Sequence, residues 1–505
     1  MNRNLNPRIM DQDDSASAHV ERYKKLSARW QELCASYLPV APEGSLWRYS
    51  GASRTGQPEQ GWKLHLSATV LNAHQVLEKV APALKELGVP FKAPTSLKEV
   101  QRLNAGLHYS YSQVGKIFTV YPRNDQEAVA LAPRLHELTR RFSAPAVPFD
   151  LRYRSGSNVY YRYGAFTLQE LVLPNGERVS AIRNPHGELV PDVCAPEKAK
   201  PVWAEDPFAV EPQQRQRQIT DSPLGTRFKV FGALSQRGKG GVYQAVDIAA
   251  DPPRLCLLKE GRKAGELGWD GRDGHWRVKH EAQVLTLLRE SGVNVPCVYA
   301  SFESAKNYYL VTEFIDGESL HAYLRRLQRR MPVMRALRYG IQLSGLLAQL
   351  HSVGWVWRDC KPANLILTKQ GELRPLDFEG ACPFDRLDPL PWMTPAFMPP
   401  EGNVTEPSGR YDDLYALGTV LYLLLTGRMP EPAPALLSAS RLRRNLSAEL
   451  CDLLAELMNP GPQLRPNAHA VTRRLESIVC DLHAKVGTPG TASDLKALTQ
   501  LERAV

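Results

Sequence analysis

Trp357-Arg358-Asp359-Cys360-Lys361-Pro362-Ala363-Asn364, with Asp377-Phe378-Glu379-Gly380 beginning thirteen residues beyond that Asn, sets four chemically active side chains and a proline at fixed intervals. A polar turn ahead of a buried strand needs no such combination. Upstream, Ala336 to His351 carries Leu343, Leu346, Leu347 and Leu350 at helical spacing, which predicts a helix delivering the stretch. Downstream, Leu414 to Thr426 is the longest apolar run. It is too short to span a bilayer and reads as a buried helix.

Working further out, Phe228 to Asp247 reads as strand, glycine-rich turn, strand. Gly238, Gly240 and Gly241, followed by Val242, leave the turn flexible enough for backbone amides to face phosphate. Leu255 to Glu260 is a strand bearing Lys259, and the next helix offers Glu281. Between them Gly261 to His275 is unusually glycine-rich, either a substrate-facing loop or disorder. Tyr309 to Ile315 is a further strand.

These pieces in this order resemble the protein-kinase superfamily. The resemblance implies that Asp359 accepts the substrate hydroxyl proton, Lys361 steadies the moving phosphoryl group, and Asn364 and Asp377 hold magnesium. It further implies a Lys259–Glu281 pair on the nucleotide phosphates, with Gly238, Gly240, Gly241 and Val242 over them. Thr312, Glu313 and Ile315 would border the purine of ATP or GTP. Asp413 would tie down the catalytic loop, and Glu401 with Arg465 would anchor the C-terminal lobe. The chain departs from the family at Trp357 (for His), at Glu379 (for Gly) and in the thinned glycine turn, where Ser235 and Arg237 replace the first two glycines.

From Asp377 to Glu401 the only Ser or Thr is Thr394, where the kinase fold uses Thr to brace the catalytic Asp. That leaves Asp385 and Asp388 as the anions available to Arg358. Phosphatase-treated protein is therefore expected to keep its full phosphotransfer rate in a radiolabel assay, and complete loss would overturn this expectation.

In the N-terminal half, Gly61-Trp62-Lys63-Leu64-His65-Leu66-Ser67 reads as a strand on which Lys63 and His65 share one face. A neighbouring ammonium lowers an imidazole pKa and bound phosphate raises it again, which suits a histidine that protonates a leaving phosphate. An exposed polar strand face would show the same pattern. Val89-Pro90-Phe91-Lys92, Gly115 to Pro122, Phe149-Asp150-Leu151-Arg152 and Val159 to Phe166 follow in order. With the downstream half they resemble the lyase and kinase portion of class III and class IV lanthionine synthetases, whose lyase domain is similar to phosphothreonine lyases. The resemblance implies β-elimination of phosphate. Lys92 (or, alternatively, Lys116) would be the base, His65 the acid and Lys63 the partner of the enolate oxygen. Lys116, Arg152 and Arg162 would hold phosphate, and Tyr163 would add a hydrogen bond.

The expected fold class is α+β: a mobile tail over 1–20, a mixed α/β lyase-like domain over 21–205, a linker over 206–224, a bilobal kinase-like domain over 225–482 and a tail over 483–505. The sequence has no room for a cyclase after the kinase, so any ring closure would fall to a separate protein. Ser/Thr-containing precursor peptide is the expected partner, and the alternatives are a plain Ser/Thr kinase with a peptide-binding N-terminal domain, or a pseudokinase scaffold. The +10 net charge favours anionic partners. No basic run with interleaved aromatics points to nucleic acid, and no segment points to a membrane. Eight scattered cysteines without CxxC argue against disulfide and zinc frameworks and fit the cytoplasm.

Overall fold

The computed structural model describes residues 16–53, 55–196, 198–208, 222–327, 330–384, 394–400, 409–430 and 443–487. Residues 1–15 and 488–505 of the expected tails and most of the linker lie outside these residues, as do Asp385, Asp388 and Glu401, whereas 16–20 and 483–487, expected as tail, belong to the helices Ala16–Tyr37 and Ala468–Gly487. Contacts divide the chain into two compact units, Met1–Lys279 with Ala300–Val311 and His280–Tyr299 with Thr312–Val505. The first unit thus joins the N-terminal domain to the strands that open the kinase-like half.

The N-terminal domain is built on strands β1 (Trp47–Tyr49), β2 (Gln60–Leu66), β3 (Phe91–Pro94), β4 (Phe118–Val120), β5 (Leu151–Arg152) and β6 (Val159–Ala165). They form one sheet in the order β1-β3-β4-β2-β6-β5, with every neighbouring pair antiparallel. Helices α1 (Ala16–Tyr37), α2 (Ala73–Glu86), α3 (Leu97–Ala105) and α4 (Asp125–Thr139) contribute to the core beneath it. Alternation along β2 sends Trp62, Leu64 and Leu66 into that core, with Trp30, Leu77, Phe91, Phe118 and Leu131. Each fully buried side chain of this size stabilises the fold by roughly 1.5–3 kcal/mol. The same alternation forces Lys63 and His65 onto the opposite face. Helix α3 starts where Ser96 Oγ accepts from the Glu99 amide at 3.3 Å. It stops at Gly106, whose φ of +65° suits a residue without Cβ. A small sheet of β7 (Glu170–Val172), β8 (Arg178–Arg183) and β9 (Leu189–Pro191) follows.

The kinase-like half opens with β10 (Phe228–Gln236), β11 (Gly240–Asp247) and β12 (Arg254–Gly261), joined in one sheet by β13 (Val298–Ser304) and β14 (Asn307–Glu313). The predicted strand–turn–strand over 228–247 is therefore present. Helix α5 (Gly274–Glu290) carries Glu281, and α6 (Leu320–Leu327) and α7 (Val333–Ser352) follow. The predicted helix over Ala336–His351 is α7. The apolar run from Leu414 lies in α8 (Arg410–Thr426), where Leu414, Leu417, Val420, Leu421, Leu424 and Leu425 are all buried. Helices α9 (Ala448–Leu457) and α10 (Ala468–Gly487) also lie in the second unit. Among the described residues no helix is long and apolar enough to cross a membrane. The eight cysteines are free thiols.

Candidate active sites

The N-terminal polar face is organised by strand register. Tyr49, Lys92, Thr119, His65, Tyr160 and Arg152 are successive partners across the sheet, and Lys63 faces Arg162 one step along. Residues directly opposite in adjacent strands share a face, so all these side chains stand on the side away from the helices. Tyr163 does not. It is partnered with Trp62 and packs edge-on against that ring at 5.7 Å, because a strand alternates its faces. Tyr160 takes the place beside His65 instead.

At the centre lies Asp150, whose side chain is wholly buried. Its Oδ2 is 2.6 Å from His65 Nδ1, and its Oδ1 is 2.8 Å from Lys116 Nζ. Burial works to raise the Asp150 carboxyl, but His65 and Lys116 outweigh it and hold it down at about 2. The imidazole moves the other way. Burial depresses His65 to about 4 despite the Asp150 partner, so at neutral pH this ring is uncharged. Burial, reinforced by Arg162, also lowers Lys63 to about 8. Its Nζ donates to the Ala165 carbonyl at 2.8 Å.

Arg162 is almost fully buried. Its Nη2 lies 2.6 Å from Asp192 Oδ1 and donates to the Val193 carbonyl at 3.3 Å, while its Nε is buried without a hydrogen-bond partner. Lys116 also reaches Cys194 Sγ at 3.4 Å. The segment after β9 therefore lies on the cationic cluster. Lys92 is on the same face, separated from His65 by Thr119, and its Nζ stands 4.1 Å over the Trp47 ring. Arg152 Nε donates to Tyr160 Oη at 2.8 Å at the outer end of the row. Register thus gathers Lys63, His65 and Arg162, the Asp150 ion pair adds Lys116, and Lys92 and Arg152 flank them. Sequence reading gave no role to Asp150, Asp192 or Cys194. Asp150 was visible only as one carboxylate between apolar neighbours, and what aims it is the left-handed backbone of Phe149 (φ +67°).

The second unit holds the catalytic loop. Asp359 Oδ2 accepts from Lys361 Nζ and from Asn364 Nδ2, both at 2.7 Å, and Thr394 Oγ1 donates to Oδ1 at 3.3 Å. Burial, with Lys361 opposing, raises the Asp359 carboxyl, a direction that suits a proton acceptor. Beneath the loop, buried Asp413 accepts from the Trp357 and Arg358 amides at 2.9 and 2.7 Å and meets His351 Nε2 at 3.1 Å. Arg358 itself adopts φ +69°. Trp357, the departure from the family's His, is fully buried. Its indole donates to the Asp377 carbonyl at 2.9 Å and stacks on Phe378 at 5.3 Å. The Phe378 amide donates to Glu281 Oε1 at 3.1 Å. Arg465 donates to the Tyr411 and Asn459 carbonyls at 3.0 Å.

Asn364 directs its amide nitrogen at the Asp359 carbonyl and carboxylate, which leaves its carbonyl oxygen for a cation. That oxygen and a carboxylate such as Asp377 are donors of the chemical kind a hard divalent ion takes. Thr312 is buried, and Glu313 is locked by Arg374 at 2.5 Å and the Cys297 amide at 3.1 Å, with Ile315 next along the chain and half-buried. In the first unit, Lys259 on β12 is directly opposite Val242 on β11. Gly241 and Gly240 precede Val242, whereas the Gly238 amide donates to the Ala105 carbonyl of the N-terminal domain at 2.9 Å. The glycine-rich Gly261–His275 connection is ordered and also lies on that domain.

Residues 40–220 match the family described as RamC, N-terminal domain, and residues 239–474 match the protein kinase domain. The probable SapB synthase of Streptomyces coelicolor is 30% identical over 411 residues, covering 79% of this chain and 42% of its own. Serine/threonine-protein kinase PkaA of the same organism is 30% identical over 308 residues, 55% of this chain and 54% of its own. Serine/threonine-protein kinase PknA of Nostoc is 30% identical over 219 residues, 41% and 38% respectively. The chain spans about half the length of these curated relatives. It consists of a RamC-type N-terminal domain followed by a protein kinase domain, the architecture of the lyase-plus-kinase portion of lanthionine synthetases.

Proposed function

We propose that this protein is a bifunctional peptide dehydratase, which phosphorylates Ser or Thr of a precursor peptide and then eliminates the phosphate. The observation that carries the reading is the buried cluster of Lys63, His65, Lys116 and Arg162 around Asp150, in one chain with a complete catalytic loop. A hydroxyl is a poor leaving group and a phosphate a good one, so the two activities are successive halves of one conversion. Their fusion keeps phosphopeptide near the second site.

In the first half Asp359 takes the hydroxyl proton and Lys361 steadies the moving phosphoryl group. Asn364 and Asp377 would hold magnesium, which would neutralise charge on the ATP or GTP that donates the phosphoryl group. In the second half an amine removes the α-proton and the Cβ–O bond breaks toward phosphate. His65 protonates the departing oxygen, leaving dehydroalanine or dehydrobutyrine. We assign the base to Lys92, because Lys116 is tied to Asp150. Lys63 faces the enolate oxygen, and Arg162, Lys116 and Arg152 face the phosphate. A phosphate dianion beside His65 supplies the negative charge that raises the imidazole toward the range where it can carry the proton it delivers.

Asp150 follows as a positioning residue. Asp150→Asn is expected to slow elimination from a synthetic phosphopeptide by about 10²-fold or more while leaving phosphorylation intact. Removing one partner of this buried charge pair also costs roughly 3–5 kcal/mol of stability. Because the carboxyl is held at about 2, below its usual value, its contribution is present above that usual value and is lost as pH falls through about 2. The variant therefore loses stability less steeply than the parent between pH 4 and pH 2 in acid-unfolding curves.

A second reading, a Ser/Thr kinase whose N-terminal domain only binds peptide, draws on one observation. Asp192 already lies 2.6 Å from Arg162, where phosphate would go. Mass spectrometry of a Ser/Thr-rich peptide incubated with magnesium nucleotide separates the readings. Loss of water supports the dehydratase, whereas stable gain of phosphate supports the kinase alone.

A further inference from the structure

The turn between β10 and β11 is held from two sides by parts of the first compact unit. On one side the Gly238 amide donates to the Ala105 carbonyl at the end of α3, and a Cβ at 238 would lie 1.6 Å from the Asn104 carbonyl oxygen. Glycine is needed there for close approach, not for its φ. On the other side runs the loop between β12 and α5. The Arg262 amide donates to the Lys239 carbonyl at 2.8 Å, and Arg262 Nη1 donates to the Arg237 carbonyl at 2.9 Å.

The far end of that loop is fastened to the N-terminal domain. Trp269 Nε1 donates to Gln101 Oε1 on α3 at 3.1 Å, and its ring packs edge-on against Tyr23 of α1 at 5.0 Å. Arg22 Nη1 donates to the Trp269 carbonyl at 2.9 Å, and Arg262 stacks 5.0 Å over the Tyr111 ring. At its base the loop is closed by buried Asp273, which accepts from the Ala264 and Trp276 amides at 2.7 and 2.9 Å.

With Ser235 and Arg237 at the first two glycine positions, the turn has less freedom of its own to fold over phosphates. Its placement is supplied from outside. We propose that the N-terminal domain positions the nucleotide turn of the kinase, α3 and the Trp269-anchored loop holding Arg237–Gly240 where the adjoining amides meet phosphate. This rests on the assignment of Gly240, Gly241 and Val242 to nucleotide binding. Pre-organising a binding loop raises affinity by removing its ordering cost. The N-terminal domain then contributes to the first chemical step as well as the second, and Trp269 is a positioning residue outside both sites.

The test uses the full chain with Trp269→Ala, which removes the loop's anchor on α1 and α3. Nucleotide KM and the dissociation constant of a fluorescent ATP analogue are expected to rise about five- to tenfold. The peptide KM, and elimination from a synthetic phosphopeptide, are expected to stay within twofold of the parent. Should Trp269→Ala not fold, Gln101→Ala removes only the indole's acceptor and should raise nucleotide KM in the same direction. Unchanged nucleotide KM and dissociation constant in folded variants overturn the proposal, the contact then being domain packing alone. A parent protein that binds no nucleotide overturns the assignment of the turn itself.

Discussion

Asp359→Asn is expected to lower phosphopeptide formation by about 10³-fold, within the 10²–10⁴ range of a removed general base. The substitution keeps the shape of a side chain that accepts from Lys361, Asn364 and Thr394. It removes the ability to take a proton and sets an amide NH₂ against donors. The fold should survive, since the loop is also pinned by Asp413 through the Trp357 and Arg358 amides. Binding of a fluorescent nucleotide checks that survival. Dehydration of unmodified peptide should vanish with phosphorylation, while a supplied phosphopeptide is still converted. Residual phosphorylation above about a tenth of the parent rate would remove Asp359 from the base role.

His65→Gln should have the complementary outcome, with phosphopeptide accumulating in place of dehydrated product and elimination slowed by about 10²–10⁴-fold. Gln can still donate to Asp150, so the buried carboxylate keeps Lys116 and one further donor and the sheet register is retained. It cannot deliver a proton to the leaving oxygen. The measurement is the ratio of phosphorylated to dehydrated peptide by mass spectrometry over time. Persistence of dehydration at near-parent rate would end the acid assignment. The two substitutions together ask whether the halves are separable, because each should spare the step the other stops.

Much of the kinase half was legible because its chemistry is local in sequence. Asp359, Lys361 and Asn364 sit within one short loop, and their mutual hydrogen bonds follow from that spacing. The Lys63/His65 pair was legible for the same reason, as strand alternation alone puts both on one face. Tyr163 was misplaced by reading a string where parity matters, since it stands one residue from Arg162 and so on the other face. Trp357 was visible as a departure, but its indole bond to the Asp377 carbonyl reaches across the hairpin of Leu365–Thr368 and Leu373–Pro375, which spacing does not reveal.

Periodicity and local spacing were sufficient for the α+β class, for the elements flanking the catalytic loop and for which strand side carries charge. These depend on dihedral preference and on alternation over a few residues. The tertiary structure alone chose Asp150 as the group joining His65 to Lys116, laid Asp192 against Arg162 and brought Gly238 to the end of α3. Each of those contacts links segments far apart in the chain. Their partners are selected by packing geometry and by the cost of burying an uncompensated charge, neither of which is written in any short stretch of residues.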